Sequence, residues 1–315
     1  MEKEPTRSAI RKKSAPSALV LFSGGLDSIL AAKILKEQGV DVTALAFVSY
    51  FFDAEQAKKS AKENSVRLAI RDISRAHLEV VRNPMFGRGA GMNPCVDCHL
   101  LMLKEAKKLA REGKFDFIAT GEVLGQRPMS QTAQSLELIE RKANLEKRIL
   151  RPLSAKVLPE TEMEKSGMVN REKLLDISGR SRKEQMKLAK KYGIENYPSP
   201  AGGCILTNKE FSKKLGKLLE KIRRIKKSDI ELLRLGRHYW MNRTRVILGR
   251  NHEENLRLKK LAERGDVLIE PRDVPGPTAF VRGRRTREVL NFVKNLLIKY
   301  SKSSEHDISI KISTA

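Results

Sequence analysis

Apolar positions along the chain follow two rhythms. Leu19-Val20-Leu21-Phe22 is a short continuous run that stops at Ser23-Gly24-Gly25, the pattern of a buried strand. From 27 to 38 the spacing turns helical, with Ile29, Leu30, Ile34 and Leu35 apolar and Gly39 as the stop. Residues 40–52, rich in β-branched and aromatic side chains, read as a second strand. A helix over 54–64 and a strand over 66–70 follow. A strongly amphipathic helix over 100–112 ends at Gly113, and a strand over 115–120 comes next. Strands alternating with helices predict an α/β fold with a doubly wound parallel sheet. Near residue 205 the rhythm changes. A charged helix over 209–227, a strand at Arg245-Val246-Ile247-Leu248, a helix over 253–264 ended by Gly265 and a strand over 266–270 lead to the rigid turn Val274-Pro275-Gly276-Pro277. This part reads as a smaller α+β domain. The expected division is a basic tail over 1–16, a first domain over 17–205, a second over 206–300 and a frayed tail over 301–315.

Composition adds a partner. The chain has 315 residues, of which 40% are hydrophobic, so two domains with real cores are within reach. Lys and Arg number 63 against 38 Asp and Glu, a formal charge of +25. An excess of one sign favours a polyanion, because basic side chains gain by displacing counterions from phosphates. A thermophile's ion-rich surface would mix both signs. The excess is uneven: 27 basic and 13 acidic residues lie in 205–315, against 36 and 25 before. No apolar run approaches the roughly 18 residues of a membrane span. The N-terminus has charge but no apolar h-region, so no secretory signal and no membrane partner are expected. Three cysteines are too few for a disulfide framework. A cytoplasmic setting is expected, with the cysteines catalytic or metal-bound.

Ser23-Gly24-Gly25-Leu26-Asp27-Ser28 sits between a strand and a helix. Paired glycines let backbone N–H groups approach a phosphate, and the helix that follows turns its positive end to the same anion. Ser23 and Ser28 add hydroxyls, and Asp27 suits Mg²⁺. A Walker loop would need a Lys after its last Gly. The motif resembles the pyrophosphate-binding loop of the PP-loop ATP pyrophosphatases, of HUP-like fold, which cleave ATP between the α and β phosphates and adenylate a carbonyl oxygen. The resemblance assigns Ser23, Gly24, Gly25, Asp27 and Ser28 to an ATP site.

All three cysteines occupy unusual local sequence. Asn93-Pro94-Cys95-Val96-Asp97-Cys98-His99 precedes the amphipathic helix, and Cys204 follows Ser199-Pro200-Ala201-Gly202-Gly203. A CxxC at a helix start favours thiolates. From the residues alone, buried inert thiols, a zinc site with His99, and an iron–sulfur cluster stay open. Asp97 and His99 read as exposed helix-start residues.

Thr120-Gly121-Glu122-Val123-Leu124-Gly125-Gln126-Arg127-Pro128-Met129-Ser130-Gln131, with Arg151-Pro152-Leu153, is similar to the tRNA 4-thiouridine synthetase PP-loop domain. NPCxxC with a distant GGC is also similar to the tRNA 2-thiouridine synthetases. The resemblance covers about 18–206. It implies ATP-dependent tRNA thiolation: adenylation of a uridine carbonyl, then sulfur insertion with release of AMP and pyrophosphate. In cluster-free members Cys98 and Cys204 would be the catalytic pair. In cluster-dependent members Cys95, Cys98 and Cys204 would hold [4Fe–4S], and Cys95 tips the reading toward the cluster. Gly121, Gln126 and Gln131 are expected to line the site, since ligands bind at the carboxyl edge of such sheets. ATP and Mg²⁺ are the other expected cofactors. A homodimer is compatible with this reading, and the sulfur must come from an external donor: sulfide, a cysteine desulfurase or a carrier. An amidating ligase for a small molecule and a non-catalytic RNA- or ribosome-binding factor are the alternatives.

Arg245 to Asn255 with Asp273-Val274-Pro275-Gly276-Pro277 resembles the RNA-binding domain of the NFACT family over about 230–283. Arg243, Arg245, Arg250, Arg282, Arg284, Arg285 and Arg287 are candidate phosphate contacts. Tyr239 and Trp240 would stack on a base or pack in the core.

Overall fold

The computed structural model describes residues 15–198, 204–301 and 308–314. The expected N-terminal tail and the loop from Ser199 to Gly203 lie outside the described residues, save for positions 15 and 16. The chain forms two compact units: 1–87 with 94–202, and 88–93 with 203–315.

The first unit runs β1 (Ser17–Leu21), α1 (Leu26–Glu37), β2 (Asp41–Val48), α2 (Glu55–Glu63), β3 (Arg67–Asp72), α3 (Ser74–Arg82), α4 (Cys95–Glu112), β4 (Phe117–Thr120), α5 (Ala133–Ala143), β5 (Ile149–Leu150), α6 (Glu162–Lys165) and α7 (Lys183–Lys191). Its five strands are all parallel, in the order β3-β2-β1-β4-β5. The doubly wound expectation holds. Alternation within β1 explains the two faces: Ala18 and Val20 pack with Leu30, Ala57 and Ala189, whereas Leu19 packs with Leu45, Leu103 and Ile139. The order reverses at β1, so the carboxyl ends of β1 and β4 flank a switch point, where such sheets bind ligands.

Two local expectations change here. The second strand stops at Val48 because a Ser49–Phe52 bridge folds the chain back. The cysteine motif does not precede its helix: Pro94 is the N-cap, so Cys95 and Cys98 form the first turn of α4.

The second unit carries α8 (Lys209–Lys221), α9 (Lys227–Leu232), β6 (Arg237–Met241), β7 (Thr244–Leu248), α10 (His252–Leu261), β8 (Val267–Pro271), β9 (Ala279–Arg282), α11 (Arg287–Tyr300) and β10 (Ile310–Thr314). Its sheet is antiparallel throughout, in the order β10-β8-β9-β7-β6. One face packs on Val289, Val293 and Leu297 of α11; the other packs on Leu232 and Leu258 of α9 and α10. The single charged helix over 209–227 is two helices, because Ile222 is extended and ends α8. The C-terminus is not frayed to its end: Ile310–Thr314 pairs with β8, with Ile312 opposite Ile269. Segment 88–93 belongs to this unit through Met92, whose N–H donates to the Leu206 carbonyl at 2.8 Å.

Candidate active site

The glycine loop closes β1 onto α1 in a conformation few sequences allow. Gly24 has φ +77°, and a Cβ there would stand 2.6 Å from the Gln56 carbonyl. Its own carbonyl accepts from Ser60 Oγ at 2.9 Å, which ties the loop to α2. Gly25 is the N-cap of α1 and offers no side-chain cap, so the first N–H groups of the helix stay available to an anion. Ser23 is exposed and its Oγ accepts from Gly25 N–H at 3.3 Å. Ser28 is buried and donates to the Gly25 carbonyl at 2.8 Å, so its proton serves the loop itself.

The loop after β4 comes in from the other side of the switch point. A Cβ on Gly121 would stand 2.6 Å from the backbone of Asp27 and Ser28, so only glycine allows this approach. Gln126 donates through Nε2 to Asp27 Oδ2 at 2.8 Å, and its Oε1 accepts from Gln185 at 3.3 Å. Asp27 Oδ1 is buried without a protein partner, as is Gln131 Oε1. These elements line one cavity of about 800 Å³, which includes Ser23, Gly25, Asp27, Ser28, Gly121, Gln126 and Gln131. That volume suits a nucleotide with part of a second substrate. The orphaned Asp27 oxygen fits a Mg²⁺ ligand.

Several lining residues escaped the sequence reading. Arg127, Arg180 and Arg182 face the cavity and have no acidic partner among the described residues. Gly179 N–H donates to the Leu124 carbonyl at 2.7 Å, which docks Ser178-Gly179-Arg180-Ser181-Arg182 on the β4 loop. Three guanidiniums around a glycine loop suit a polyphosphate tail. The visible signal was a glycine followed by two arginines one residue apart.

Glu122 was also missed. It is 8% exposed, yet it is held ionised. Its Oε2 accepts from Thr120 Oγ1 and from Arg151 Nε, both at 3.0 Å, and its Oε1 meets His99 Nδ1 at 2.7 Å. Burial alone would raise its pKa, but Arg151 and His99 bring it down to about 2. Arg151 is 4% exposed and also pairs with Glu140. His99 is therefore not a solvated helix-start residue: its ring lines the cavity. Nor is Asp97, which is buried and accepts from the N–H groups of Met85 and Phe86 at 2.9 and 3.0 Å.

Cys95 and Cys98 belong to the first unit and Cys204 to the second. Cys98 is buried, and its Sγ lies 2.8 Å from His77 Nε2. His77 Nδ1 lies 2.7 Å from Ser49 Oγ, and Phe51 packs edge-on against the ring. Burial depresses the His77 pKa to about 4, so the ring is neutral near pH 7 and relays a proton only between these two partners. Cys95 is half-buried on the same turn, and Cys204 is half-buried in the second unit. Among the described residues no three His, Cys, Asp or Glu side chains are grouped to hold a metal ion.

In the second unit, Arg245 and Arg282 are not available to phosphate. Arg245 is 2% exposed and donates through Nη1 to the Asp229 carbonyl at 3.1 Å. Arg282 is paired with Asp229 at 2.7 Å and Asp266 at 2.6 Å. Arg250 is tied to Glu254. Tyr239 packs edge-on against Phe292. Arg243, Arg284, Arg285 and Arg287 remain exposed, and the Thr244 hydroxyl donates to the Arg284 carbonyl at 3.0 Å, which joins the β6–β7 turn to the segment after β9.

Fold and cavity together define a parallel α/β unit with a glycine-loop cavity at its switch point, followed by a basic α+β unit. Residues 13–158 match the family model described as thiamine biosynthesis protein (ThiI), and residues 236–315 match the NFACT protein RNA binding domain. Segment 88–93 aside, the first match lies within the first unit and the second within the second. A probable tRNA sulfurtransferase of Finegoldia magna is 34% identical over 146 residues, 45% of this chain and 37% of that one. A tRNA-specific 2-thiouridylase of Desulfosudis oleivorans is 30% identical over 117 residues, 35% of this chain and 33% of that one. The chain thus spans little more than a third of the length of these curated relatives. A crystal structure of a 4-thiouridine synthetase–RNA complex with bound ATP aligns at 22% identity and TM-score 0.41, over 69% of this chain and 52% of that one. No helix among the described residues is long and apolar enough to cross a membrane.

Proposed function

We propose that the chain is an ATP-dependent tRNA thiolase. The observation that carries the reading is the joining of the Ser23–Ser28 loop, Gly121 and the Asp27–Gln126 pair in one large cavity. ATP would place its phosphates on the free N–H groups of α1, with Arg127, Arg180 and Arg182 around them. Asp27 would hold Mg²⁺, which supplies charge neutralisation on the phosphates. A uridine carbonyl oxygen then attacks the α-phosphorus. The bond to the bridging oxygen breaks, pyrophosphate leaves, and the ring N–H proton is released. Adenylation turns a poor leaving group into AMP.

Sulfur then replaces AMP. The contact of Cys98 Sγ with His77 Nε2 at 2.8 Å favours thiol chemistry for this step. One of Cys98 and Cys204, as its thiolate, takes the sulfane sulfur of an external persulfide donor, and the donor leaves as a thiolate. That sulfur attacks the ring carbon and AMP leaves. The other cysteine attacks the carrier cysteine's sulfur, which frees the thiouridine and leaves a disulfide that an external thiol reduces. The exposed arginines of the second unit would hold the tRNA backbone.

Mass spectrometry of tRNA nucleosides from a deletion strain tests the reading. One thionucleoside is expected to disappear and to return when the chain is restored. A full complement of thionucleosides in the deletion strain would overturn it. Iron analysis of anaerobically purified, active protein separates the sulfur routes: no iron is expected, and about four irons per chain would restore the cluster.

A further inference from the structure

The Glu122 carboxylate is fully engaged. It accepts from Thr120, Arg151 and His99, at 3.0, 3.0 and 2.7 Å. With all its partners in the protein, it has little left to offer a substrate, although it lies at the cavity wall. Thr120 and His99 both line the cavity, but Thr120 is 2% exposed, whereas the His99 side chain is 31% exposed. Glu122 also cannot shift to follow a moving ring, because buried Arg151 is locked in turn by Glu140. A buried ion chain that ends on one imidazole is the arrangement by which a carboxylate fixes a ring's tautomer and orientation.

The chemistry of that ring follows. A carboxylate only accepts, so Nδ1 must carry the hydrogen it shares with Glu122. In the neutral ring Nε2 is then an acceptor, and it has no protein partner among the described residues. The glycine loop and helix N-terminus offer donors to phosphates, and the three arginines are donors as well. His99 instead offers an acceptor, which no phosphate can use.

We propose that His99 reads the ring N–H of the pyrimidine to be activated. A uracil ring presents an N–H between its two carbonyls, whereas cytosine presents a lone pair at that position. An acceptor fixed by Glu122 therefore admits the first and leaves two lone pairs facing each other with the second. His99 becomes a specificity-determining residue and Glu122 the group that positions it. This inference rests on the thiolation reading and names the base class that enters the cavity.

The test uses the full chain with unmodified tRNA transcripts, ATP, a persulfide donor and a reducing thiol, and reads thionucleosides by mass spectrometry. His99→Ala is expected to lower kcat/KM for tRNA about a hundredfold and to leave ATP affinity within twofold. His99→Gln, whose amide oxygen accepts the same N–H, is expected to recover to within about tenfold of the parent. A merely structural role would lower the melting temperature of both variants and would not show this rescue. If the parent protein thiolates and His99→Ala matches it within threefold, the inference is overturned while the thiolase reading stands. A loss of ATP affinity in His99→Ala also overturns it, because the ring would then belong to the nucleotide. A parent protein that forms no thionucleoside overturns the thiolase reading and the inference with it.

Discussion

Gln126 Nε2 lies 2.8 Å from Asp27 Oδ2, joining the loop after β4 to the first turn of α1, 99 residues apart in the chain. The other Asp27 oxygen is buried with no partner. Asp27→Ala removes that unsatisfied atom, so the nucleotide-free protein should melt within about 2 °C of the parent. Mg²⁺-dependent ATP binding should weaken at least thirtyfold, and ATP-dependent thiolation should vanish. Calorimetric titration with ATP, with and without Mg²⁺, checks this; a metal-independent affinity in the parent protein would count against the role.

Two glycines separate strain from contact. Gly121→Ala drives a Cβ into the Asp27–Ser28 backbone. It should cost roughly 1–3 kcal/mol in stability and abolish ATP binding. Gly39 has φ +78° but open space around it, so Gly39→Ala should cost only about 1–2 kcal/mol of backbone strain. Its ATP affinity should be unchanged. Thermal melts and nucleotide titrations on the pair read the difference.

The arginines of the second unit divide by burial. Arg245→Ala should destabilise the unit by roughly 3 kcal/mol or more, because it strips a buried ionic network. Replacing Arg284, Arg285 and Arg287 together by Ala should leave the melting temperature alone and weaken tRNA binding. Each lost phosphate contact should flatten the salt dependence of binding by about 0.7–0.9 in log–log slope. Filter binding across a salt series measures both.

His238 makes the second unit acid-sensitive. Burial, with Arg245 and Lys214 nearby, depresses its pKa from 6.5 to about 3. The folded state binds this proton less readily than the unfolded chain. Its effect on stability is therefore nil above about pH 6.5, and stability falls as pH drops from there toward 3. The slope should approach 1.4 kcal/mol per pH unit. His238→Gln should flatten urea denaturation midpoints between pH 6.5 and 4, and an unchanged slope in that variant would exclude the ring as the cause.

Legibility followed locality. Periodicity alone pointed to β1, α1 and the alternating order of the first sheet, because each is written within a dozen residues. The glycine loop is written just as locally, and Gly121 and Gln126 line the same cavity. Glu122 and Arg151 were quoted in their motifs yet given no role, since their meaning lies in a pairing across 29 residues. A lone arginine after the apolar pair Ile149-Leu150 was the only local hint of a buried charge. Density misled at Arg245 and Arg282, which alternate with the exposed arginines around them but face a neighbouring aspartate. The Cys98–His77 contact could not be read at all, because His77 sits in an unremarkable amphipathic helix.

The six residues from 88 to 93 leave the first unit, join the second and return in time for Pro94 to cap α4. The basic unit is therefore no appendage hung from one linker. A truncation ending at 202 strands this segment without Leu206, and a fragment beginning at 203 lacks the strip that Leu206 holds. Separating the two halves takes three cuts and a rejoining.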